Sequence, residues 1–95
     1  MSGAVFHPGH HALHGITVVL EASDGRTCVG RFDTEDEAGV HLLDVGVHRA
    51  GEGAGSREDF VRHTLQFGVR RDAAHLVVPR SAVLRITRLT EYRLD

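Results

Sequence analysis

The chain has no Trp and no Lys, a single Cys, and only five aromatic residues, four Phe and one Tyr. Each shortage excludes something. One cysteine, Cys28, cannot form an internal disulfide, so packing must hold the fold, and a reducing cytoplasm is the expected compartment. Scarce aromatics leave a core of Val, Leu, Ile and Ala, the filling of a small barrel. No apolar run approaches the ~20 residues that span a bilayer, so no membrane partner is expected. The opening MSGAVFHPGHH lacks the basic start and apolar centre of a signal peptide. Ninety-five residues, 41% of them hydrophobic, suffice for one core and leave little room for a second.

Charge is scarce in net but uneven in place. The net charge is −2, yet residues 1–44 carry two Arg against seven Asp and Glu, whereas residues 45–95 carry nine Arg against six. This excludes a protein that coats nucleic acid by bulk charge and leaves room for a local basic patch. All eleven basic residues are Arg. Genomic base composition accounts for that, as does retention of the planar guanidinium for bidentate contacts to phosphates or carboxylates.

What is present is short-period alternation. Ile16, Val18 and Leu20 alternate with Thr17, Val19 and Glu21, the period of a half-buried strand. Ser23-Asp24-Gly25 is a hairpin turn signal. A second strand is expected over Arg26–Phe32, with Gly30 at its middle marking a sharp bend or a close backbone approach. Asp33–Glu37 reads as an acidic turn, and a third strand over Val40–His48 is apolar enough to be buried on both faces or bulged. AGEGAGS, residues 50–56, is a surface loop. Ser56-Arg57-Glu58-Asp59 resembles a capping box ahead of a helix over Arg57–Phe67, with Gly68 as its cap, although Val61, His63, Leu65, Phe67 and Val69 also alternate as a strand would. His75–Val78, a 3₁₀ turn over Ser81–Val83, and Leu84–Leu89 complete five strands.

These residues resemble the Sm/LSm family, an SH3-like barrel, in a divergent bacterial form. Val18, Leu20, Gly25, Gly30, Phe32 and Asp36 match the spacings of its first motif, and Leu42 and Asp44 continue it. VVPRSAVLRI, residues 77–86, is similar to the bacterial form of its second motif. Together the matches cover under half of the chain. The resemblance implies an all-β fold: a small five-stranded bent barrel spanning residues 15–95, with a short helix inserted between strands 3 and 4 (insertion 50–74) and a His-rich lead over residues 1–14. It also implies a non-enzymatic module that binds single-stranded RNA, closes into a ring of about five to seven subunits and needs no cofactor. Asp36, His41 and Arg80 are the nucleic-acid-binding residues it points to. The chain departs from the family where an Asn is usual: the window Glu37–His41 holds none, with Gly39 and His41 near its place. Arg80 matches the family's Arg-Gly pair only if one residue slips. The PRC barrel, a protein-interaction scaffold without nucleic acid, has a similar pattern with a poorer glycine fit.

Other clusters read more plainly. His7, His10, His11 and His14 have the side chains of a metal site, but no Cys, Asp or Glu in the cluster completes a tetrahedron, and an exposed lead is the simpler expectation. Cys28 reads as a small buried hydrophobe, and no nucleophile elbow surrounds Ser81. Arg80, Arg85 and Arg88 would either hold phosphates or pair with the acidic first half.

Overall fold

A computed structural model describes residues 13–51 and 55–94. His7, His10 and His11 lie outside the described residues. Five strands follow in order: β1 (Thr17–Ala22), β2 (Arg26–Asp36), β3 (Gly39–Arg49), β4 (Ala73–Val78) and β5 (Val83–Arg88). One helix, α1 (Arg57–Phe67), falls between β3 and β4. 3₁₀ turns occupy Arg80–Ala82 and Leu89–Glu91. The strands form one antiparallel sheet in the order β4-β3-β2-β1-β5. The expected all-β bent sheet with an inserted helix is what the chain adopts.

The inner face of the sheet holds the main core, in which Val18, Leu20, Cys28, Phe32, Leu42, Val45 and Val78 are buried. Leu13 is buried with them, whereas His14 beside it is exposed, as expected of the lead. Cys28 sits in that core, and burial pushes its thiol pKa up, as befits a packing residue. The outer face carries a second cluster: Val19 and Val29 meet Val61 of α1, with Phe60, Val69, Leu89, Tyr92 and Leu94 packed around them. Consecutive residues of β1, Val18, Val19 and Leu20, are therefore all fully buried. Removing such side chains from water contributes roughly 1.5–3 kcal/mol each.

Three bulges bend this sheet. Val29 pairs with Gly46 and Arg31 with Leu43, so Asp44 and Val45 oppose Gly30 alone. Gly30 is required there: a Cβ would lie 2.9 Å from the Leu43 carbonyl oxygen. Asp44 takes the left-handed conformation, φ 51°, which Asp tolerates better than most residues. A second bulge at Asp33 makes β2 longer than expected; it runs through Asp36, and the acidic turn shrinks to Glu37-Ala38. The third bulge places Leu84 as an extra residue in β5, between the Glu21–Arg85 and Ala22–Val83 pairs. Leu84 consequently departs from the alternation that would put it beside Ile86, and it is 69% exposed.

Both ends of α1 carry the expected signals. The Ser56 hydroxyl accepts from the Asp59 N–H, and the Asp59 carboxylate accepts from the Ser56 N–H, a reciprocal capping box. Gly68, at φ 88°, closes the helix with its N–H donating to the Thr64 carbonyl. Glu58 and Asp59 in the first turn also suit the helix dipole.

Candidate nucleic-acid interface

The β2–β3 turn and the turn after β4 form one ledge. Gly39, at φ 132°, makes this possible, since a Cβ would stand 2.1 Å from the Val78 carbonyl oxygen and 2.8 Å from the Pro79 Cα. The Arg80 guanidinium donates to the Asp36 carbonyl at 3.4 Å and ties the two turns together.

Alternation then sorts the side chains. Glu35 pairs in register with Val40, a core residue, and so points to the inner side; Asp36 pairs with Gly39 and points with His41 to the outer face. On the inner side Arg80 Nε lies 2.7 Å from Glu35 Oε2, and the Glu35 side chain is only 11% exposed. On the outer face His41 Nε2 lies 2.9 Å from Asp36 Oδ1, while His41 Nδ1 lies 2.9 Å from His75 Nε2. His41 and His75 are diagonal neighbours, because His41 pairs with Val77 and His75 with Leu43. Their rings are nearly parallel, 18° apart, with centroids 5.1 Å apart. The Ala38 N–H also donates to Asp36 Oδ1. The hydrogen bond from His41, aided by the backbone N–H groups of Ala38 and Gly39, holds the Asp36 carboxyl below its ordinary pKa.

Of the three residues singled out from the sequence, Asp36 and His41 are thus in direct contact. Arg80 joins them through a backbone carbonyl, with its charge directed to the opposite side and already paired. The acidic-half pairing weighed for the arginines describes two of them: Arg80 meets Glu35, and Arg85 lies 3.9 Å from Glu21, which also binds Arg57 at 3.0 Å. Arg88 forms no ion pair with a described carboxylate. His14, considered as a ligand, donates instead from Nδ1 to the Asp33 carbonyl. Sequence reasoning missed His75 and Glu35. The position of His75 four residues before Pro79 carries no motif, and only the β3–β4 register brings it to His41. Beside this site, Asp44 receives Arg31 at 2.6 Å and Arg71 at 3.1 Å. Those two guanidinium groups hold the Asp44 carboxyl below the usual range.

No family model matches the chain, and no curated protein matches it in sequence. Solved structures match it in fold. A Pyrococcus abyssii Sm protein in complex with a uridine heptamer is 20% identical, with TM-score 0.59 over 85% of this chain and 93% of that one. The P. aerophilum SmAP1 heptamer is 16% identical, with TM-score 0.59 over 88% and 92%. An SmAP (LSm) protein from Methanococcus vannielii is 17% identical, with TM-score 0.58 over 92% and 99%. At these identities the likeness establishes an Sm-like fold.

Proposed function

We propose that this chain is a non-enzymatic Sm-like module of the cytoplasm that closes into a homo-oligomeric ring and binds single-stranded RNA. In this reading residues 15–95 form the ring-building unit, and residues 1–14 a lead before it. The observation that carries the reading is the strand order: β4 and β5 lie at opposite edges of the sheet, and no described strand pairs with the outer edge of either. Open edges invite pairing, and an edge at each side of one subunit supports head-to-tail closure. The similar structures include a heptamer and a complex with a uridine heptamer, which supports both the assembly and the ligand. Repeating the ledge of Asp36, His41 and Arg80 around a ring would concentrate it, so a net charge of −2 is no obstacle.

Arg80 would exchange its Glu35 partner for a phosphate, a trade between two acceptors of the same charge-assisted kind. Native mass spectrometry of the protein purified at moderate salt tests the proposal, because it counts subunits and retained oligonucleotide together. A ring that binds oligouridylate is expected, with Arg80→Ala weakening binding several-fold and leaving the ring intact. A monomer that ignores RNA would remove the proposal. One observation favours a second reading, a protein-interaction scaffold working through the insertion: Phe67 and Leu65 on α1 are 73% and 46% exposed. A ring without RNA, whose partner binding is abolished by deleting Gly51–Ser56, would favour that reading.

A further inference from the structure

We infer that His75 is the residue on the outer face of this site that contacts RNA phosphate, in addition to Arg80 on the inner side, with Asp36 and His41 as positioning residues behind it. The inference rests on the RNA-binding reading above and extends it to a contact that no sequence motif marks.

The hydrogen-bond directions follow from valence. A carboxylate only accepts, so His41 Nε2, 2.9 Å from Asp36 Oδ1, carries the hydrogen. A neutral imidazole has one donor and one acceptor, so His41 Nδ1 must accept, and His75 Nε2, 2.9 Å away, must donate. His41 is then fully committed, and its side chain is only 16% exposed. It has no nitrogen left to offer a ligand. His75 is exposed, and its Nδ1 has no partner among the described residues.

This wiring gives His75 Nδ1 two identities. With the pair neutral it is an acceptor, which repels a phosphate oxygen. When the pair takes up one proton, Nδ1 becomes an N–H donor bearing part of a positive charge. Asp36 offsets that charge from the far end of the chain of hydrogen bonds. The protonated form suits a ligand that is anionic and accepts only, and a phosphodiester oxygen is both.

The surroundings leave this assignment standing. From β2 the outer face presents Asp36 and Arg31, and from β3 His41 and Asp44; Arg31 and Arg71 are both engaged with Asp44. Glu37 lies in the turn beyond Asp36. Arg80 and Glu35 satisfy each other on the inner side. Arg31 and His75 occupy one transverse row, flanking Leu43, so an anion at His75 would feel the net positive charge of the Arg31–Asp44–Arg71 group.

Two readouts on the full chain test the proposal. Nitrogen-resolved imidazole NMR should find neutral His75 with its hydrogen on Nε2. Asp36→Asn should shift proton uptake by the pair to lower pH, although Asp36 does not touch His75. Fluorescence anisotropy with labelled oligouridylate at constant ionic strength should then show binding several-fold tighter at pH 6 than at pH 8. That pH dependence should vanish in His75→Gln, and His75→Lys should bind equally at both values. RNA binding in the wild type that is flat across this range would overturn the role of His75 and leave the RNA-binding reading intact. A neutral tautomer with hydrogen on His75 Nδ1 would overturn the relay. No binding by any variant at either pH would overturn both readings.

Discussion

Single residues set the geometry of the ledge, and Gly39 sets most of it. Its φ of 132° and the 2.1 Å approach of the Val78 carbonyl to a built Cβ leave a side chain nowhere to go. Gly39→Ala is expected to cost about 1–3 kcal/mol in urea unfolding and to loosen the Asp36–His41 contact. Asp44 makes a prediction about acid. Arg31 first, and Arg71 with it, lower its pKa in the folded state, so its ion pairs contribute stability above the ordinary carboxylate range and lose it as pH falls through the folded value. Asn tolerates the same left-handed backbone. Thermal unfolding should therefore show wild type above Asp44→Asn at neutral pH, with the gap narrowing below about pH 4. Legibility at this scale followed backbone rules. Gly30 could be read as a close approach because a glycine inside a strand has few other reasons to be there. His75 could not, because its importance arises from a cross-strand neighbour thirty-four positions earlier.

The elements were legible where their ends carry chemistry of their own. The Ser56–Asp59 box and Gly68 marked α1 against a competing strand-like alternation, and the structure has both caps in place. Ser56→Ala should destabilise the fold by about 1 kcal/mol, with hydrogen exchange accelerating first in Arg57–Phe60 and little in β1. The extension of β2 through Asp33, Thr34, Glu35 and Asp36 was not legible. Asp and Glu disfavour strands in isolation, and pairing with Gly39–His41 overrides that preference. The bulge at Leu84 was hidden for a related reason: alternation in a sequence has no mark for one skipped residue. The slip puts a leucine where Arg85 and Ile86 predict none on the surface.

For the molecule as a whole, the open edges make the sharpest claim. Leu84 lies outside the core at the β5 edge, so Leu84→Glu should change monomer stability by no more than about 0.5 kcal/mol. In light scattering on a size-exclusion column, the same change should shift the proposed ring towards monomer. An unchanged mass would remove this part of β5 from the subunit contact. Sequence spacings pointed to one bent sheet, but not to a second apolar cluster on its outer face. That cluster joins β1 and β2 to residues from α1 and from the Leu89–Leu94 segment, too far apart in the chain for any local pattern to connect them. The arrangement also bears on how the chain is made. β1 is synthesised before β5, yet it pairs with β5 and is covered on its outer side by Leu89, Tyr92 and Leu94. Neither side of its Val18-Val19-Leu20 core can be sealed until residues 83–94 have left the ribosome. Translation must therefore carry an apolar strand unfinished until residues 83–94 follow, an interval in which its side chains are open to aggregation or to a chaperone.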